Sequence, residues 1–321
     1  MTKKKYENIY WIFNHTNPAI IPSYFVSGIM PANQLGIKKV IFLKEHDPEY
    51  FLNKLSPRLL IISKVFDNSV QNLVKIAKKR NIKIISIFDD WNFDNEKRNE
   101  LNLPIALHST AIVSKTKYSA IEIEKNIKLS PIVIPDPVRF KGANIFKDIR
   151  NPLNLCWFGT HTNHDTILGE LSNLDNIGLK IDLNIITNFI EEIKEKIRLF
   201  KIKNINFIYT TWTVDFYKHV LKSDIVLLPY PNDKERLIKS SNRIIDSINL
   251  GRFTILSKVN QFEEFKDFVY FGNVSDGIKW VLKNIDKAKK MTHNGQQYIN
   301  KNYTLDKICE LWSNLFNNLK N

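Results

Sequence analysis

The residues best placed to do chemistry lie in one run, Lys239-Ser-Ser-Asn-Arg-Ile-Ile-Asp246-Ser-Ile-Asn-Leu-Gly251. Its first members are polar, Asp246 falls one helical turn after Asn242 and Arg243, and Gly251 has the backbone freedom that ends a helix. Ser240 or Ser241 suits an N-cap, because a serine hydroxyl accepts from the unpaired N–H groups of the first turn. Backbone N–H groups at a helix start, with the dipole behind them, attract an anion. Lys239 and Arg243 add positive charge, and Asp246 is placed to accept hydrogen bonds from a ribose diol. The run therefore suits a phosphate with a sugar ring beside it. From the residues alone, a plain capped helix with a surface Arg243–Asp246 pair of small energetic worth fits equally well.

The elements around this run form a repeated strand–helix pattern. Runs rich in Ile, Val and Phe at 8–13, 39–43, 59–63, 83–88, 111–114 and 132–134 are nearly apolar throughout, as in strands covered on both faces. Between two of them, Val70, Leu73, Val74 and Ala77 mark one face of a helix over 68–80. Pro135-Asp-Pro137 closes this half, and 139–151 lacks periodicity. The alternation restarts with strands at 153–158, 180–186, 205–209, 224–228, 253–257 and 269–271, and with helices that include 240–250 and 275–291. A last stripe, Leu305, Ile308, Cys309, Trp312, Leu315, Phe316 and Leu319, predicts an amphipathic helix. The expectation is two doubly wound α/β domains: residues 1–138, a linker over 139–151, and residues 152–300, with a helix over 301–321 packing back toward the first domain.

Ligands of open parallel sheets bind at the carboxyl ends of strands. The loops to inspect are therefore 14–23, 89–94, 159–165, 210–213 and 229–242. They supply Gly159, Thr160 and Asn163, of which the Thr and Asn side chains can donate to a phosphate, and Tyr230 at the end of the strand before the polar run. Asp89 and Asp90 end the fourth strand, where one of them can activate or orient an acceptor hydroxyl. His15 follows the first strand, and His108 is a weaker candidate.

Composition narrows the field. There are two cysteines, Cys156 and Cys309, both in apolar settings, so neither a disulfide framework nor a zinc site is expected. No G-x-G, Walker loop, H-E-x-x-H, C-x-x-C or G-x-S-x-G occurs, which argues against dinucleotide enzymes, P-loop NTPases, zinc hydrolases and α/β-hydrolases. The net charge is +14, but the basic residues are scattered and the chain is rich in Lys, Asn and Ile together. Compositional drift explains this better than a nucleic-acid partner, which is not expected; weak attraction to an anionic membrane face or an acidic glycan is the intermediate reading. No membrane span and no secretory signal stand out, so a cytoplasmic protein, or one at the inner face of the membrane, is expected.

The run 246–255, an acid followed by small residues, Gly251 and a strand, resembles the donor-binding helix of GT-B glycosyltransferases, especially the large family 4, or group 1, superfamily. Asp224-Ile-Val-Leu-Leu-Pro229, Pro135-Asp-Pro-Val138 and Asn302-Tyr-Thr304 with its Trp-containing helix resemble other parts of that family. The resemblance implies two Rossmann-like domains facing a cleft. It also implies transfer of a sugar from a nucleotide-diphospho-sugar to a hydroxyl of a glycan or lipid-linked glycan, as in bacterial surface glycan synthesis. Asp246 takes the place of the family's ribose-binding acid, retention is favoured, and neither cofactor nor metal is implied. Two departures stand out. The family's first acid, eight positions before Asp246, is Ile238 here, and the loop after Gly159 lacks the usual Arg and Lys. A nucleotide-sugar 2-epimerase and a non-catalytic glycan-binding partner are the alternatives.

Overall fold

The computed structural model describes residues 6–17, 21–63, 68–88, 96–146, 148–231, 233, 236 and 238–319, apart from the side chains at 97 and 98. Asp89 and Asp90 thus lie outside the described residues. The chain forms two compact units. The first comprises Met1–Pro137, Leu237–Ser241 and Tyr303–Asn321; the second comprises Val138–Arg236 and Asn242–Asn302.

In the first unit, strands β1 (Ile9–Phe13), β2 (Lys38–Ile41), β3 (Leu59–Ser63), β4 (Lys83–Phe88), β5 (Ala111–Ser114) and β6 (Ile132–Val133) form one parallel sheet in the order β2-β1-β3-β4-β5-β6. Side chains alternate across a strand, and here both sides are apolar. Ile9, Trp11 and Phe13 of β1 enter one core with Ile61 and Ile85, while Tyr10 and Ile12 enter another with Leu60, Ile62 and Ile84. The second core is covered by the helix Asn68–Lys79, which buries Val70, Leu73, Val74 and Ala77.

The other face is covered by the chain's last helix, Leu305–Asn318, which starts where the Thr304 side chain accepts from the Lys307 N–H. It buries Ile308, Cys309, Trp312, Leu315 and Phe316. The Trp312 ring packs edge-on to Trp11 at 4.9 Å, and Phe316 meets Tyr6 at 5.5 Å. On this face the chain also forms a π-helical turn, Phe25–Ile29. A Cβ at Gly28 would lie 2.7 Å from the Phe13 ring, so only glycine lets this turn approach β1.

In the second unit, strands β7 (Leu153–Phe158), β8 (Ile181–Thr187), β9 (Ile205–Thr211), β10 (Ile225–Leu228), β11 (Phe253–Leu256) and β12 (Tyr270–Phe271) form a parallel sheet in the order β12-β11-β10-β7-β8-β9. Both units are thus doubly wound α/β layers. The helix expected over 240–250 spans Asn242–Asn249. It ends in a Schellman motif: Gly251, at φ +68, donates its N–H to Ile248 O, and Arg252 donates to Ser247 O. The single helix expected over 275–291 is instead two, Val274–Lys283 and Ile285–Asn302. Asn284 leaves the helical region, at φ −136 and ψ 40, while its amide donates back to Trp280 O at 2.8 Å.

The stretch 139–151 is tied to the second unit. Ala143 N donates to Asn249 O, Phe146 N donates to Gly251 O, and Phe146 joins the core. The Arg252 guanidinium is buried among carbonyls and donates to Asn144, Ser223 and Leu250 O; burial holds its pKa below the usual arginine range. Both cysteines are free and buried, and burial pushes the Cys309 thiol up to about 11. Among the described residues no helix is long and apolar enough to cross a membrane.

Trp312→Ala should lower the stability of the first unit by about 3–5 kcal/mol in urea unfolding, whereas Ala at exposed Leu311 should cost less than about 0.5 kcal/mol. Equal effects would contradict this packing.

Candidate functional site

The strand order of the second unit reverses between β7 and β10, because β8 lies to one side of β7 and β10 to the other. The loops leaving these two strands therefore diverge and open a crevice at their carboxyl ends. Three of the residues read from the sequence meet there. Arg243 Nη1 donates to Phe158 O, the last carbonyl of β7, at 3.3 Å. The guanidinium also lies over the Tyr230 ring, 4.6 Å from its centroid. Tyr230 is buried and immobilised, its N–H donating to Ser257 Oγ and its ring packed on Phe262 at 4.9 Å. Gly159 follows Phe158. A Cβ there would come within 2.9 Å of the Trp157 ring and 3.2 Å of Arg243 Nη1. Its N–H is committed to Ile186 O, so Gly159 contributes space rather than a donor. A guanidinium held by a ring face and a single carbonyl keeps donors available to an anion.

The rest of the predicted set is arranged differently. Thr160 and Asn163 are turned toward each other. Asn163 Nδ2 donates to Thr160 Oγ1 at 3.0 Å, and Thr160 and Thr162 hydroxyls share a hydrogen bond at 2.9 Å. Asn242 is the first residue of its helix and Ser241 precedes it, while Lys239, Ser240 and Ser241 belong to the first unit together with buried Ile238. Asp246 does not pair with Arg243. It is 1% exposed, and its Oδ2 accepts from Arg139 Nε at 2.7 Å and from Arg139 Nη2. In the first unit, strand order reverses between β1 and β3, and the segment after β1 carries His15. His15 Nδ1 accepts from Asn17 N at 3.0 Å, which places the proton of the neutral ring on Nε2. His108 Nδ1 is bonded to Pro104 O at 2.7 Å, a local helix-end contact.

Two arginines enter this region without a signal in the sequence. Arg139 comes from the aperiodic stretch after the first unit. Arg236 reaches the loop after β7, with Nη2 donating to Asp165 at 2.7 Å and to Thr162 O at 3.3 Å, and Nη1 donating to Asp233 at 2.6 Å. The loop after Gly159 thus carries a fixed positive charge supplied from a distance and balanced by two carboxylates. Beneath the loop, His164 is fully buried. The Thr187 hydroxyl donates to Asn188 O and lies 2.9 Å from His164 Nε2, so the ring donates through Nε2. Its bare Nδ1 lies 3.9 Å from Glu192. Burial holds the imidazole below its usual pKa, with the Glu192 charge pulling the other way.

Against known structures, a glycosyltransferase from Rickettsia africae superposes with a TM-score of 0.65 at 12% identity, covering 96% of both chains. An alpha-glucosyltransferase, solved with UDP-glucose and DNA containing an abasic site, gives 0.59 at 11%, covering 98% of this chain and 99% of that one. The chain has the GT-B fold. The UDP-GlcNAc 2-epimerase of Neisseria meningitidis, bound to UDP-GlcNAc, also superposes, with a TM-score of 0.53 at 10% identity, covering 98% of this chain and all of that one. No family model and no curated protein sequence matches the chain. In this GT-B chain the loop after β7 rests on a neutral buried histidine. An unfolded imidazole takes up its proton near pH 6.5, and the buried one resists it until lower pH. The stability it contributes is complete above about pH 6.5 and is lost as pH falls from there toward the folded value. Between about pH 7 and pH 5.5 the wild type should therefore lose more stability than His164→Gln; parallel pH profiles would contradict the assignment.

Proposed function

We propose that this GT-B protein is a glycosyltransferase that takes a nucleotide-diphospho-sugar at the carboxyl ends of β7 and β10 and transfers the sugar to a hydroxyl acceptor. The observation that carries the reading is Arg243, held over Tyr230 and against Phe158 O at the point where strand order reverses, with Gly159 leaving room beside it. When the bond to the sugar breaks, negative charge grows on the departing diphosphate. Stabilising it is the largest single contribution that the site can make. Arg243 and the start of the helix Asn242–Asn249 provide preorganised positive potential for that charge. Arg236 adds to the field at the adjoining loop, reduced by Asp165 and Asp233.

On the acceptor side the reading uses one of Asp89 and Asp90, which follow β4 in the chain, and His15 as a hydrogen-bond donor that orients the hydroxyl. Lys239, Ser240 and Ser241 are the proposed additional diphosphate ligands. The further proposals are retention of configuration, a glycan or lipid-linked glycan acceptor in surface-glycan synthesis, action at the cytoplasmic side of a membrane, and charge compensation by the protein without a metal. The UDP-sugars bound by the similar structures make UDP the first nucleotide to try. The epimerase likeness favours a second reading, 2-epimerisation of a nucleotide-sugar, which would convert the donor without any acceptor present.

A thermal-shift panel of UDP, GDP, CDP and ADP tests the proposal, since binding to the folded state raises apparent stability by mass action. At least one nucleotide should raise the melting temperature, and Arg243→Ala should weaken its binding at least ~10-fold, the worth of a hydrogen bond to a charged group. A flat panel, or unchanged affinity in Arg243→Ala, would overturn the site.

A further inference from the structure

The Arg139–Asp246 pair bears on how a nucleotide would be read at the ends of β7 and β10, and its meaning rests on the nucleotide site proposed there. Asp246 lies on the same helix as Arg243, one turn further on, where an acid would meet a ribose diol. Its carboxylate, however, is engaged. Arg139 donates through Nε at 2.7 Å and through Nη2, both to Oδ2, and the Arg139 main-chain N–H points at Oδ1 from 3.5 Å. The side chains of Arg139 and Asp246 are 11% and 1% exposed.

Arg139 is fixed from the other side too. Its guanidinium packs on the Phe216 ring at 4.8 Å and on Phe140 at 5.4 Å. Phe140 is pinned by Asn249 Nδ2, which donates to its carbonyl at 2.6 Å, and by the Tyr217 ring at 4.5 Å. A ribose that displaced Arg139 from Asp246 would leave a guanidinium buried among aromatic rings without its counter-charge. With Arg139 in place, the Asp246 side chain is 1% exposed and offers a diol no open approach.

We infer that Arg139 withdraws Asp246 from ribose recognition, so that this chain binds nucleoside diphosphates while leaving the ribose hydroxyls unread. Arg139 is a positioning residue that sets specificity by occupying the acid. Its effect is on discrimination between sugars of the nucleotide, which a merely structural role would not change.

The test is calorimetry on the full chain with four matched pairs, each of UDP, GDP, CDP and ADP against its 2′,3′-dideoxy analogue. For whichever nucleotide binds, the wild type should hold the pair within about threefold, where a site that hydrogen-bonds a substrate hydroxyl rejects the analogue far more strongly. Arg139→Gln, which keeps a donor but frees acceptor capacity on Asp246, should raise the preference for the ribonucleotide above tenfold. A wild-type preference above tenfold would overturn the inference while leaving the nucleotide site standing. A ratio that stays flat in Arg139→Gln would overturn the assignment to Arg139. Absence of binding by all four ribonucleotides and all four analogues would overturn the site itself.

Discussion

A doubly wound parallel sheet separates two neighbouring loops only where its strand order reverses, and in the second unit that place is the β7–β10 boundary. Everything proposed for the site depends on this constraint. Phe158 and Gly159 end one strand, Pro229 and Tyr230 leave the other, and the helix carrying Arg243 is delivered by the segment that follows. The apolar character of both strands serves the same end. Val226 and Leu228 are fully buried on one face, while Ile225 and Leu227 fill the other together with Leu155 and Phe253, the ladder neighbours of Ile225. A sheet packed on both faces has little freedom to tilt, so its strand ends hold their loops in place.

Several buried polar groups of the second unit are satisfied by arginines. Arg252 takes carbonyls from three directions, Arg150 pairs with Asp224, and Arg139 pairs with Asp246. A planar guanidinium suits these positions because its donors fan out in one plane and its faces tolerate aromatic rings. Arg139 uses both properties at once. Replacing either partner by an apolar residue would strand the other charge, which is why the pair holds the 139–151 stretch to the second unit rather than acting as a surface contact. Arg243 differs: a ring and a carbonyl hold it, and among the described residues no carboxylate forms a salt bridge with it. The two arginines near this helix thus stand in different electrostatic states, one neutralised and one available to an anion.

Much of the scaffold is legible from residue type. Strands at 59–63, 83–88, 111–114 and 153–158 coincide with runs of Ile, Leu, Val and Phe, because a strand covered on both faces has no room for polar residues. The Trp312 stripe declares its buried face, and Gly251 its helix end, through equally local rules. The turn around Gly28 is not legible in this way, because what requires a glycine there is the close approach of Phe13 and Trp11, which come from a separate strand. Of the candidate site, Gly159, Tyr230 and Arg243 can be found by asking which loops follow strands. The Arg139–Asp246 pair cannot, since its partners are 107 positions apart and Arg139 sits in a stretch without periodicity. Arg236 is hidden for the same reason, as one charge in a polar loop whose partner Asp165 belongs to a different strand–helix unit.

The proposed site holds a nucleoside diphosphate at the carboxyl ends of β7 and β10, against Arg243. A crystal structure with the tightest-binding nucleoside diphosphate tests it most directly. The predicted result is phosphate density in hydrogen-bond contact with the Arg243 guanidinium, beside Gly159, with Arg139 still on Asp246. Nucleotide bound elsewhere, with Arg243 still facing only Tyr230 and Phe158, would contradict it.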